Sequence, residues 1–120
     1  MPLNIAEPPV DPTALLQRPE EFLIFYADIV DGKMWCSDCR AVDDNIRKTF
    51  TGSDSISPTA AIVYVGNKPN WKSLDNVFRG EPFKITDVPT IVKIREGKEV
   101  ARLVDQEINS KLADFVLSNS

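Results

Sequence analysis

The chain of 120 residues contains no histidine, only two cysteines and five glycines, none beside another. Without histidine or a third cysteine, a zinc site built on the thiols would need two carboxylates to complete it, which argues against a metal centre. No Gly-X-Gly-X-X-Gly occurs, so the chain has no dinucleotide-binding loop of its own. Nowhere do eighteen apolar residues follow one another, and "MPLNIAEPPVDP" has neither the cationic start nor the apolar run of a secretory signal. A soluble, cytoplasmic protein is the expectation. Fourteen basic and eighteen acidic side chains leave a net charge of −4, with no run of five like charges. That leaves no electrostatic footprint for nucleic acid or an anionic membrane, and points to small molecules or other proteins as partners.

What is present is concentrated. Both cysteines fall in "KMWCSDC", as Cys36 and Cys39, directly behind Trp35. A chain of 13.4 kDa can bury roughly two-thirds of its unfolded surface without staples, so one domain over 1–120 is expected. Residues 1–12, with Pro2, Pro8, Pro9 and Pro12, read as an irregular lead-in. Asp11 and Pro12 open a short helix that Pro19 stops, and "EFLIFYADI" reads as a strand buried on both faces.

After the cysteines, Val42, Ile46 and Phe50 recur every four residues and draw an apolar stripe along a helix starting near Cys36. "TAAIVYVG" is a second buried strand, and "NWKSLDNVFR" a short helix with Leu74, Val77 and Phe78 inward. "PTIVKIREGKEVARLV" forms a hairpin around Glu96 to Lys98. "NSKLADFVL" closes as a helix capped by Asn109 or Ser110, burying Leu112, Phe115 and Val116. Strand, helix, strand in that order implies a parallel pair. The fold class is therefore α/β, a mixed sheet with helices on both faces, and the thiols lie at the C-terminal edge of a strand, where such sheets place their chemistry.

A thiolate at a helix N-terminus is favoured by unpaired backbone N–H groups and the positive end of the dipole. Cys36, nearer the helix end, is the expected nucleophile. Cys39, one turn inside, is the expected resolving thiol that displaces the mixed disulfide. As a structural staple, the bridge would close so short a loop that it contributes only about 2 kcal/mol. Redox work is the better account of two thiols in one turn.

The strand "FLIFYA", then "WCSDC" opening a helix, then "DVPTIVKI", resembles the thioredoxin fold over nearly the whole chain. "VGNKPNWKSLDNVFR" before "KITDVPT", with the longer loop "DIVDGKMWCSDC", resembles more narrowly the thioredoxin-related 14-kDa family, also called the thioredoxin domain-containing protein 17 family. The resemblance implies a nucleophilic Cys36, a resolving Cys39 and a cis bond before Pro89 that turns the Val88 backbone toward the cysteines to pair with a substrate. It implies reduction of small or strained disulfides such as cystine, and of mixed or nitrosated thiols, and poor handling of large thioredoxin substrates. Re-reduction would come from thioredoxin reductase, so NADPH acts only through that partner and no cofactor is bound. A monomer is implied.

Ordinary thioredoxins have Gly-Pro between the cysteines, where Ser37 and Asp38 stand here, and a buried aspartate where Ile24 stands. The charge of Asp38 opposes a neighbouring thiolate, and Ile24 cannot accept a proton from Cys39. Trp35 and Trp71 are open to two roles, core packing or substrate surface. Two other readings remain. A glutaredoxin-like, glutathione-dependent reductase would need a Gly-Gly pair after the Val-Pro strand, and a non-catalytic binding module would use the thiols only to tune a protein contact.

Overall fold

The computed structural model describes residues 3–8, 10–51 and 58–117. The expected single domain and proline-rich lead-in extend over residues 1, 2, 9, 52–57 and 118–120, which lie outside the described residues. Strands β1 (Leu3–Ile5), β2 (Phe22–Tyr26), β5 (Ala60–Tyr64), β6 (Thr90–Arg95) and β7 (Lys98–Val104) form one sheet in the order β1-β5-β2-β6-β7. β1, β5 and β2 run parallel, and β6 and β7 antiparallel to their neighbours. A separate ribbon pairs β3 (Ile29–Val30) with β4 (Lys33–Met34) inside the long loop before the cysteines.

The helices are α1 (Pro12–Leu15), α2 (Ser37–Phe50), α3 (Lys68–Lys72), a single 3₁₀ turn at Val77–Arg79 and α4 (Glu107–Leu117). Every residue of β2 is fully buried, as a central strand covered on both faces requires. Its side chains alternate between two layers. Phe22 meets Phe50 of α2 and Phe115 of α4, with ring centroids 5.5 and 5.6 Å apart. Phe25 points the other way, to Phe78 of the 3₁₀ turn and Phe83, at 5.9 and 5.2 Å. By the same alternation Ile24 and Tyr26 share the α2 side with Phe22.

The α/β mixed sheet with helices on both faces stands as expected. Several details do not. The lead-in is not wholly irregular, because Leu3–Ile5 adds an edge strand to β5, and Asn4 hydrogen-bonds the buried Glu20 at 3.0 Å. Helix α1 is capped by Asp11 with Pro12 in its first turn, as expected, but ends at Leu15, ahead of Pro19. Of the three residues expected to face inward near Trp71, only Phe78 is buried; Leu74 is 91% and Val77 54% exposed. The helical period assumed for that stretch fails because α3 ends at Lys72, and the chain re-enters helical geometry only at Val77, where the Asn76 side chain caps it. Helix α4 begins at Glu107, two residues before the expected cap, so Ile108 and Leu112 are its buried residues while Phe115 and Val116 are half-buried. Asn109 instead donates to the Ala41 carbonyl, tying α4 to α2. The β6–β7 turn has Glu96 and Gly97 at φ of 55° and 75°, the two positive angles of a type I′ turn.

Candidate active site: the Cys36–Cys39 turn

Cys36 is the N-cap of α2, with extended backbone angles and no side-chain capping bond, so first-turn N–H groups stay available beside its sulfur. Cys39 lies one turn inside and is fully buried, whereas Cys36 is half-exposed. Both are free thiols. Burial pushes the Cys39 thiol well above its ordinary pKa; the neighbouring Cys36 and Asp38 push the same way, against a backbone hydrogen bond at Ala27. Ser37 and Asp38 are exposed in the first turn, and Asp38 is its acidic residue.

The Cys36 thiol donates to the Val88 carbonyl at 3.6 Å, and the Val88–Pro89 bond is cis. Both residues are buried, and the Val88 carbonyl is the backbone group that meets the sulfur. A second cis bond, Glu81–Pro82, has no counterpart in the sequence reading.

Trp35 is half-buried, and its indole N–H donates to the Gly66 carbonyl at 2.9 Å. The Asp28 carboxylate accepts from Gly66 N–H at 2.9 Å, the Asp28 N–H donates to Gly66 O at 3.2 Å, and Asp28 O accepts from Trp35 N–H at 3.2 Å. The two ends of the loop are thus latched to one glycine. Gly66 has φ of +126°, and a Cβ there would meet the Asn70 side chain at 3.0 Å, so no larger residue fits unstrained. Trp71 is brought elsewhere. It is 5% exposed, with the Arg79 guanidinium 4.0 Å from its ring centroid and Arg79 Nε donating to its carbonyl at 2.7 Å. It belongs to the buried core cluster.

Ile24 is fully buried and, by the alternation of β2, lies on the α2 side with Phe22 and Tyr26, an apolar side chain that cannot take a proton. The sequence reading missed the polar cluster one turn further on. The Tyr26 hydroxyl donates to Asp43 at 2.9 Å, and Arg47 Nε meets both oxygens of that carboxylate at 3.0 and 3.1 Å. Burial, then the Asp43 charge, holds the Tyr26 phenol protonated to well above its ordinary range. A signal was available. Asp43 is four residues after Cys39, a spacing that places both on one side of a helix. No group of three or more potential metal ligands occurs among the described residues. None of the described helices is long and apolar enough to cross a membrane.

Known proteins resemble this chain in both sequence and shape. Residues 12–119 match the model of the thioredoxin domain of thioredoxin domain-containing protein 17-like proteins. Human thioredoxin domain-containing protein 17 is 41% identical over 90 residues, covering 72% of this chain and 68% of the relative. The thioredoxin-like protein Clot of Oryza sativa subsp. japonica is 32% identical over 103 residues, covering 80% and 72%. Among solved structures, Schistosoma mansoni thioredoxin superposes with a TM-score of 0.64 at 18% identity, covering 98% of this chain and 95% of that one. A thioredoxin f2 solved in complex with ferredoxin:thioredoxin reductase gives 0.65 at 12% identity, covering 98% and 96%. With a thioredoxin fold and a family of thiol–disulfide oxidoreductase type, the chain belongs to the thioredoxin domain-containing protein 17-like family.

Proposed function

We propose that the protein is a reductase of small or strained disulfides, with Cys36 as nucleophile and Cys39 as resolving thiol. The observation that carries this reading is the asymmetry of the pair: Cys36 half-exposed at a helix N-terminus against the Val88 carbonyl, Cys39 fully buried one turn behind it. The Cys36 thiolate attacks one sulfur of the substrate, forming a mixed disulfide and expelling the other half as a thiolate. Cys39 then loses its proton and attacks Cys36 Sγ, releasing the second half and leaving Cys36–Cys39 oxidised. Two electrons have passed from the dithiol to the substrate. The Val88 backbone supports docking of the substrate main chain beside the nucleophile.

Ile24 offers no internal base, so the Cys39 proton leaves to solvent or to an outer carboxylate. A flavoprotein reductase of the thioredoxin reductase class, using NADPH, is the proposed source of electrons in a reducing cytoplasm. A neighbour of the same fold, a thioredoxin f2, was solved in complex with ferredoxin:thioredoxin reductase, which supports a redox-protein partner in general terms and not this class of reductase. The test is a coupled NADPH and thioredoxin reductase assay with cystine and insulin at matched disulfide concentration. Turnover of cystine, abolished by Cys36→Ser, with Cys39→Ser trapping a mixed disulfide, is the expected result. A thiol pair that is oxidised once and never turns over would leave a binding module instead.

A further inference from the structure

Cys36, Arg40, Asp43 and Arg47 follow one another at intervals of four, three and four along α2, so they share one side of the helix. The β3–β4 ribbon stands against that side. Between them lies a cleft of about 210 Å³ lined by Lys33 of the ribbon, Arg40, Asp43 and Arg47 of the helix, and Tyr64 of β5. Three cations and one carboxylate face it, in a chain whose net charge is −4.

The carboxylate is already engaged. Asp43 takes the Tyr26 hydroxyl at 2.9 Å and Arg47 Nε at 3.0 Å. Among the described residues neither Lys33 nor Arg40 has an ion-pair partner. The cleft therefore presents two positive charges without ion-pair partners, with Arg40 on the helix side that also carries Cys36. With a helical rise of about 1.5 Å per residue, Arg40 lies roughly 6 Å and Arg47 roughly 16 Å along the axis from Cys36. A tripeptide extends at most about 10 Å, so the carboxylates of a short-peptide disulfide held at Cys36 fall within this span.

We propose that the cleft between the ribbon and α2 is a carboxylate-recognition subsite for disulfides of amino acids and short peptides, with Lys33 and Arg40 as its charges. The inference rests on the disulfide-reductase reading above. It adds a preference that access alone does not give: among disulfides of equal size, those with free carboxylates react faster, because the ammonium and guanidinium groups hold them beside the sulfur. Arg47 positions Asp43 rather than binding substrate, and Asp43 keeps the anion toward the Cys36 end of the cleft by repulsion.

The experiment compares oxidised glutathione with its fully esterified form, the same disulfide without carboxylates. Each is mixed with the reduced full-length protein in a single turnover without reductase, and the second-order rate constants are expressed as a ratio of acid to ester. Two exposed charge contacts predict a ratio of about tenfold at low salt in the unmodified protein. The ratio should fall toward unity in Lys33→Ala/Arg40→Ala, be largely kept in Arg40→Lys, and decline as salt shortens the screening length. A ratio that survives the double substitution, or is absent in the unmodified protein while both disulfides react, overturns the subsite and leaves the reductase reading intact. If the reduced protein reacts with neither disulfide but still reduces cystine, the subsite alone falls; if cystine too is left intact, both fall.

Discussion

The sulfur of Cys36 stands 3.6 Å from the carbonyl oxygen of Val88, fifty-two residues further along the chain. That contact joins the N-terminus of α2, where Cys36 is half-exposed, to the backbone entering β6. Cys39, one helical turn on, is fully buried among the core residues, and burial pushes its pKa up. In the reduced protein at neutral pH, one equivalent of iodoacetamide should therefore label Cys36 at least about tenfold faster than Cys39. Peptide mapping of the alkylated protein checks this. Faster labelling of Cys39 would reverse the assignment of nucleophile and resolving thiol.

The raised pKa of Cys39 also has a consequence for stability, with a definite sign. An unfolded cysteine loses its proton near pH 8.5, while the folded Cys39 keeps it to higher pH. Above about pH 8.5 the folded state thus binds more protons than the unfolded one, and stability falls as pH rises. The contribution is complete below that pH and is lost progressively toward the folded pKa. Tyr26, whose phenol is also pushed up by burial, adds the same trend only from about pH 10. Between pH 8.5 and 10, urea unfolding of Cys36→Ser should show a downward slope approaching about 1.4 kcal/mol per pH unit, and Cys36→Ser/Cys39→Ala a much flatter one. Parallel slopes would mean that Cys39 titrates normally in the fold.

The stretch around Trp71 provides a stability contrast that sequence periodicity misjudges. Leu74 is 91% exposed and Phe78 5%, although both fall on the same side of a continuous helix drawn through the stretch. Phe78→Ala should cost about 3–5 kcal/mol, since it empties the space beside Phe25, whereas Leu74→Asp should stay within about 0.5 kcal/mol of the parent. Chemical denaturation of the two variants decides between the broken helix seen here and the continuous one.

The contrast also shows what the sequence made legible. The long apolar run of β2, the four-residue stripe of α2 and the turn at Gly97 are local signals with one strong period each, and all three are where periodicity and turn chemistry put them. Cys36 meets the Val88 carbonyl, ahead of the cis Pro89, because strand β2, helix α2 and strand β6 are each recognisable on their own and β2 pairs with β6. What escaped depends on contacts between distant segments. Leu3–Ile5 is a strand only because β5 offers its edge, and the burial of Trp71 depends on Arg79, which lies over its ring from eight residues away. Tyr26 reads as one more apolar residue in a buried run until Asp43 is seen to receive its hydroxyl.

The loop before the cysteines leads to the last prediction. Ile29 pairs with Met34 and Val30 with Lys33, so residues 30–33 form the tip of a hairpin whose base is already closed. Asp28 and Trp35 hold that base to Gly66 independently of the tip. Directly opposed residues in a ribbon have Cα atoms about 4.5–5.5 Å apart, and bonded neighbours 3.8 Å, so excising 30–33 and joining Ile29 to Met34 needs only a small closure. Met34, which is buried against the core, is retained. The tip stands beside the helix side that carries Cys36, where a folded protein must settle to present its disulfide, while a small disulfide passes it. The shortened protein should therefore reduce insulin several-fold faster than the parent. Cystine should gain nothing, and should lose rate to the extent that Lys33 recognises its carboxylates. The ratio of insulin to cystine turnover in the coupled reductase assay is the measurement. An unchanged ratio in a variant that keeps its melting temperature would show that the ribbon does not limit access to Cys36.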